Sequence, residues 1–334
     1  MIRPMRYRAI SRHRPDIQVS EIGFGCWTMG GPNWSLTNGQ PIGWSDVNED
    51  DILAGIRAGL DAGVNHWDNA DIYGNGRAER MLRDIFRKIG VSRDQQVIAT
   101  KMGHFRGTCD HPYRPHHIRR QCEQSLMNLG TDRIDIYYFH HGGFGEMLHD
   151  AAGTMRELVN EGKVRAVGQS AYSDEDFARV VPVVKPDVLQ SWANMLRDNF
   201  IRPGAALPRL MDEHGCRFVA FSPLAQGLLL DKFDPEKPPK FEEGDVRTNN
   251  QQFAADGLRA LKPRVEKLKQ RFGASVEDLA SAACRFVLGH EQVCSAIPGF
   301  RNERQARANL RGSTDPAMPG ADVEFCRSVF APQA

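Results

Sequence analysis

The chain has 334 residues, 43 Lys+Arg against 42 Asp+Glu for a formal net charge of +1, 41% hydrophobic residues and 25% charged ones. Those proportions are ordinary for globular proteins, which excludes a disordered chain, and the basic footprint of a nucleic-acid binder is missing. No apolar run approaches the ~18–20 residues of a membrane-spanning helix, since the richest stretch, 217–230, is broken by Pro223, Gln226 and Gly227.

Short apolar, β-branched runs alternate with longer segments of helical spacing. EIGFGCW (21–27) leads through a broad loop to a helix over 50–63, GVNHWD (63–68) to one over 78–90, and QVIATK (96–101) to one over 116–130. RIDIYYFH (133–140) precedes a helix over 150–162, VRAVGQS (164–170) one over 174–184, and PDVLQSW (186–192) one near 204–214. CRFVAFS (216–222) is followed by a long insertion, a helix over 261–273 and an additional helix over 274–290; VCSAIPG (293–299) precedes a helix over 302–310. Glycines such as Gly90 and Gly130 stand where helices should stop, and Asp174 and Asn302 where they should start. Eight strand–helix units of this kind predict an α/β fold, a (β/α)8 TIM barrel over residues 1–334 as a single domain. No GxGxxG follows the first strand, which speaks against a dinucleotide-binding doubly wound sheet.

Some segments lie outside that period. The first fourteen residues carry five arginines and no acid; they read as a basic turn opening the fold rather than an organelle transit peptide. Residues 231–256 are rich in proline and charge and too long for an ordinary connection, so they read as a lid. We expect it to move until cofactor binds. The seven cysteines are odd in number with no CxxC spacing, which favours a reducing, cytoplasmic compartment over a disulfide framework or zinc ribbon.

In such a barrel the chemistry lies at the C-terminal ends of the strands. Three successive strands end in Asp68, Lys101 and His140, with Tyr73 five residues past Asp68. A free tyrosine titrates at about 10, and a nearby ammonium is expected to lower that value. Tyr73 then reads as general acid, poised by Lys101, with Asp68 holding Lys101 and His140 orienting the substrate oxygen. His116 and His117 read as solvent-facing. His140 and His141 are adjacent strand residues, whose side chains point to opposite faces, so no metal site is expected.

These residues resemble the aldo-keto reductase superfamily. GVNHWDNADIYGNGRAE (63–79) is similar to its Asp/Tyr signature and DIYYFHH (135–141) to the strand ending in its catalytic histidine. GKVRAVGQS (162–170), LQSWAN (189–194), FSPLAQGLL (221–229) and IPGFRNERQARAN (297–309) match further segments in order. The resemblance implies hydride transfer between a nicotinamide cofactor and a carbonyl without a metal, on a barrel plugged by an N-terminal β-hairpin that MRYRAI would begin. It makes Asp68, Tyr73, Lys101 and His140 the catalytic tetrad.

Carried over residue by residue, Ser170 and Gln190 would hold the carboxamide, Phe221 would stack on the ring, and Ser222, Leu224 and Gly227 would line the pyrophosphate. Gly25, Cys26, Trp27 and Asp68 would border the cofactor, with Arg301, Gln305 and Asn309 at its adenosine end. Ala171 stands where the family usually has Asn, and Phe221 where it has Tyr, departures that bear on cofactor affinity. Arg301 and Arg304 open the last helix and suit a 2′-phosphate, favouring NADP(H), with NAD(H) the other form the site allows. Trp27, Trp67, His141, Trp192 and the lid are expected to build the pocket for a small carbonyl or sugar substrate. The competing reading is a cofactor-binding regulatory subunit with slow or no turnover; a Schiff-base role for Lys101 would need it free of Asp68.

Overall fold

The computed structural model describes residues 4–36 and 38–331; the first three residues of the basic segment lie outside that range. Strands β1 (Tyr7–Ala9) and β2 (Gln18–Ser20) pair antiparallel as a hairpin. The barrel strands follow as β3 (Phe24–Gly25), β4 (His66–Asp68), β5 (Val97–Met102), β6 (Ile134–Phe139), β7 (Val164–Ser170), β8 (Val188–Trp192), β9 (Arg217–Phe221) and β10 (Val293–Ile297). They are parallel neighbours in that order. Parallel bridges Ile22↔Ala296 and Gly25↔Gly299 join the first strand to the last and close the ring.

Period-two alternation sorts the side chains into two apolar layers. Val97 and Ala99 of β5, Ile136 and Tyr138 of β6, Val188 of β8 and Val219 of β9 fill the barrel, sealed by Ile10, Ile17 and Val19 of the hairpin. The intervening positions, Ile98, Met102, Tyr137 and Phe139 among them, pack outward against the helices. Two arginines of the N-terminal segment serve this plug: Arg6 and Arg8 both pair with the buried Glu21, at 2.7 and 2.6 Å.

The helices fall where their caps predict. They are α1 (Glu49–Asp61), α2 (Arg77–Ile89), α3 (Pro115–Leu129), α4 (Leu148–Asn160), α5 (Asp174–Val184) and α6 (Ala206–His214), then α7 (Ala255–Phe272), α8 (Val276–Leu288), α9 (Glu303–Thr314) and α10 (Gly320–Phe330). Asn48, Ser173, Ser275 and Asn302 accept backbone N–H groups at their respective N-termini. Two departures from the sequence reading stand out. Helix α7 starts at Ala255, six residues early, because the chain tolerates Pro263 inside it at the cost of one backbone hydrogen bond; the insertion therefore ends at residue 254. Helix α10 was not anticipated. It begins after Pro319 and buries Val323, Cys326 and Val329.

Trp67 is also a correction. Its aromatic ring suggests a place in the substrate wall, but it occupies the outward position of β4. There it is fully buried between Phe24 and Phe86, with Nε1 donating to Gln96 Oε1 at 2.7 Å. Trp67→Ala should lower stability by about 3–5 kcal/mol, the usual cost of emptying a large core site, while leaving substrate KM unchanged. Thermal unfolding and steady-state kinetics on the same preparation check this.

Candidate active site

The inward positions at the C-terminal strand ends bring Asp68, Lys101, His140, Ser170, Gln190 and Phe221 to one end of the barrel. All except Lys101 line a cavity of about 900 Å³. Lys101 lies just beneath it, 1% exposed, and its three N–H donors have three acceptors. It pairs with Asp68 Oδ1, donates to the Asn69 carbonyl at 2.7 Å and to the Tyr73 hydroxyl at 3.3 Å. The other Asp68 oxygen accepts from Gln190 Nε2 at 2.8 Å. A lysine committed in this way does not suit Schiff-base chemistry.

Tyr73 is carried by the turn between β4 and α2. That turn is possible because Gly30 and Gly74 touch: a Cβ on Gly74, whose φ is +59°, would lie 2.2 Å from the Gly30 oxygen. Asn33 Nδ2 donates to the Ile72 carbonyl at 2.8 Å and adds a second tie. The phenol differs from the sequence expectation. Burial, with the Asp68 charge adding to it, pushes Tyr73 well above the usual tyrosine range, so the ammonium does not lower it and the group holds its proton. His140, whose ring meets that of Tyr73 at 6.0 Å, is driven well below the usual imidazole range by burial and by His104. It is neutral, and among the described residues its Nδ1 has no partner.

The cavity runs from this cluster along β9 to α9. Gly25, Trp27, Ser170, Gln190, Phe221, Ser222, Leu224, Gly227, Arg301, Gln305 and Asn309 all line it, as does Trp192. Cys26 does not: its thiol turns into the outer core toward the Phe24 carbonyl at 3.7 Å. His141 is likewise turned away, with Nε2 on the Gly103 carbonyl at 2.8 Å and Nδ1 accepting from Gly143 N. His117, expected in solvent, is buried with Nε2 on the Phe105 carbonyl at 2.7 Å.

These residues fit a dinucleotide. Ser170 Oγ is buried without a partner among the described residues. Ser222, Ala225, Gln226 and Gly227 all have positive φ, left-handed backbone that bends this segment so that Ser222, Leu224, Gln226 and Gly227 line the cavity. Arg304 pairs with Glu277 at 2.9 Å but is 76% exposed, and Arg301 donates to the Asp46 carbonyl.

The insertion contributes to the wall as the sequence indicates, while His104, Tyr172 and the loop before α1 are parts of it that the sequence does not reveal. His104 faces the cavity beside His140, ring centroids 4.4 Å apart, and Tyr172 stacks on Trp192 at 5.4 Å. Ser35, Leu36, Gln40, Ile42 and Trp44 come from the loop before α1, and Lys232, Val246 and Arg247 from the insertion. One signal was present: three of the five tryptophans, Trp27, Trp34 and Trp44, crowd one loop.

The two loops are clasped together. Asp245 accepts from Ser45 N and Oγ at 2.9 and 2.7 Å and from Arg247, whose guanidinium lies between Trp44 and Phe241 at 4.3 and 4.2 Å. Burial alone would raise the Asp245 carboxyl, but Arg247 and Ser45 hold it down at about 2. The insertion is thus a built roof over the cavity.

Fold and site define a barrel with a Tyr–Lys–Asp–His cluster at its strand ends, beside a cleft of about 900 Å³. Residues 21–319 match the model of the Aldo/keto reductase family, and the chain belongs to that family. It is an oxidoreductase, and the family uses nicotinamide cofactors. An aldo-keto reductase of Strobilurus tenacellus is 32% identical over 87% of this chain and 83% of its own length. An L-galactose dehydrogenase of Arabidopsis thaliana is 25% identical over 94% and 91%. The holo form of an aldo-keto reductase from Bacillus halodurans superposes with a TM-score of 0.74 at 22% identity, over 97% and 96% of the two chains. Among the described residues no helix is long and apolar enough to cross a membrane, and no group of three or more His, Cys, Asp or Glu could hold a metal ion.

Opening the clasp with Asp245→Ala should weaken NADPH binding about tenfold or more, since charged hydrogen bonds of this kind are worth about 1.5–3 kcal/mol. It should also speed proteolysis within 231–254, and in the wild type NADPH should slow that cleavage. Cofactor titration by fluorescence and limited digestion read both effects; cleavage indifferent to NADPH would rule out a lid that closes on cofactor.

Proposed function

We propose that the protein is an NADP-dependent oxidoreductase that moves a hydride between nicotinamide and the carbonyl or alcohol carbon of a small substrate, with Tyr73 exchanging the proton. The observation that carries this reading is the Lys101 ammonium 3.3 Å from the Tyr73 hydroxyl at the floor of the cavity. When bound, the nicotinamide ring supplies or accepts the hydride. In reduction Tyr73 gives its phenolic proton to the carbonyl oxygen, and Lys101 stabilises the phenolate that remains. Neutral His140 orients that oxygen.

Ser170 and Gln190 would hold the carboxamide, Phe221 would support the ring, and the 222–227 segment would take the pyrophosphate. Trp27, Trp192, Tyr172 and His104 offer apolar faces beside hydrogen-bonding edges, a surface suited to aldehydes, ketones and sugars. The likeness to an L-galactose dehydrogenase supports including sugars. Seven cysteines that all stand free support a cytoplasmic setting.

Tyr73→Phe should lose about 10²–10⁴ in kcat, the usual weight of general acid catalysis, with NADPH affinity preserved. Oxidation of NADPH followed by absorbance across aldehydes, ketones and sugars checks this. A Tyr73→Phe variant as fast as wild type would remove Tyr73 as proton donor; a wild type that binds NADPH and turns nothing over would leave the regulatory reading.

For the nucleotide, Arg304 is the informative position. Its exposed pair with Glu277 is worth only about 0–1 kcal/mol, so a 2′-phosphate can displace it. Arg304→Ala should raise KM for NADPH about tenfold or more, with KM for NADH unchanged, from the loss of one charged hydrogen bond. Equal effects on both cofactors would place the 2′-phosphate elsewhere.

A further inference from the structure

Between the outer face of β4–β6 and helices α2 and α3 lies a set of buried polar groups that hydride transfer does not use. Asp71 and Glu79 are 6% and 0% exposed, and among the described residues no salt bridge reaches either. Glu79 is satisfied, accepting from Thr100 Oγ1 at 2.7 Å and Asn128 Nδ2 at 2.8 Å. Asp71 is not. Its Oδ2 accepts from Gln121 Nε2 at 2.9 Å, while among the described residues Oδ1 has no hydrogen-bond partner.

The environment of Asp71 disfavours charge from several sides. Burial comes first and the Glu79 carboxyl second, outweighing the Gln121 amide, the Ile72 N–H and Lys101, so the acid is pushed up to about 8. Glu79, on α2, is itself raised by burial, which the hydrogen bonds from Thr100 and Asn128, the Ser125 hydroxyl and then the Arg80 charge offset in part. Tyr137 of β6, Tyr113 of the β5–α3 loop and Tyr73 on the same turn also face Asp71, and all three phenols are pushed upward, burial first. Lys101 is the nearby cation, and its donors are committed to Asp68, Asn69 and Tyr73.

Asp71 sits between Asp68 and Tyr73 in the chain. Its backbone N–H donates to the Lys101 carbonyl at 3.1 Å, and its side chain ties the same turn to α3 through Gln121. We propose that Asp71 is a positioning residue that works as a neutral carboxylic acid, seating the Asp68–Tyr73 segment against β5 and α3. Ionised, it faces Glu79 as a second buried negative charge and pulls that segment, and Tyr73 with it, out of register. The proposal rests on Tyr73 being the proton donor.

The signs follow from the acid being the working form. The rate falls as pH rises through about 8, a limb that Tyr73 cannot supply because its phenol titrates well above the usual range. The folded carboxyl also holds its proton beyond the unfolded value of about 3.9. Stability is therefore lost as pH rises from about 4 toward 8 and levels off above. Asp71→Asn keeps the shape of the neutral acid and cannot ionise.

The test measures kcat of wild type and Asp71→Asn from pH 6 to 10, and Tm of both without substrate in the same buffers. We expect the wild-type rate to fall about tenfold or more between pH 7 and 9.5 while Asp71→Asn holds its rate past pH 9. The variant's Tm should gain on wild type by a few degrees between pH 6 and 8. Parallel pH–rate profiles would overturn the positioning role, even with a pH-dependent Tm gap. A Tm gap constant across pH would overturn the neutral acid. A wild type without turnover at any pH would fail the reductase reading instead, with the Tm comparison then deciding on Asp71 alone.

Discussion

The active end of this barrel is organised around one buried ion pair, Lys101 with Asp68. Taking an ammonium and a carboxylate out of water costs several kcal/mol per ion, and the pair is tolerated only because every remaining donor and acceptor is used. Lys101 spends its other protons on Asn69 O and Tyr73, and Asp68 takes Gln190 on its second oxygen. Removing either partner would strand the other charge, a loss of about 3–5 kcal/mol. The pair is therefore both a structural risk and the reason that Tyr73 has an ammonium at its oxygen.

The surrounding structure supports that pair from two directions. Beneath it, β1–β2 and the inward aliphatics of the strands seal the barrel so that water does not reach the ions from below. Above it, the loop before α1 and the 231–254 insertion meet through Asp245, Ser45 and Arg247, roofing a cavity walled by Trp27, Trp44 and Trp192. A low-dielectric enclosure strengthens the influence of Lys101 on Tyr73. The same enclosure pushes the phenol upward and keeps His140 neutral. The phenol therefore holds its proton, and the Lys101 ammonium at its oxygen is the group placed to stabilise the charge left if that proton is given up.

Much of this was legible in the chain. Eight apolar runs, six of which carry Asp68, Lys101, His140, Ser170, Gln190 and Phe221 at or near their C-terminal ends, were readable because strand parity and helix caps are local signals. Parity was equally available for Trp67, one residue before Asp68 and so on the opposite face, and for His141, one residue past His140. Their aromatic character suggested the pocket, while the alternation of the pleat put Trp67 in the core and the turn after β6 sent His141 to the Gly103 carbonyl.

The chain alone is enough for the eight-unit barrel, for the polar residues at its strand ends and for the family they resemble, because each depends on neighbours within a few residues. The tertiary structure alone decided the rest. Ser45 meets Asp245 across 200 residues, and His104 comes to face His140 only when two strands lie side by side. The protonation of Tyr73 and Asp71 depends on burial and on charges brought in from other elements. Desolvation is a property of the packed molecule, and no local pattern of residues encodes it.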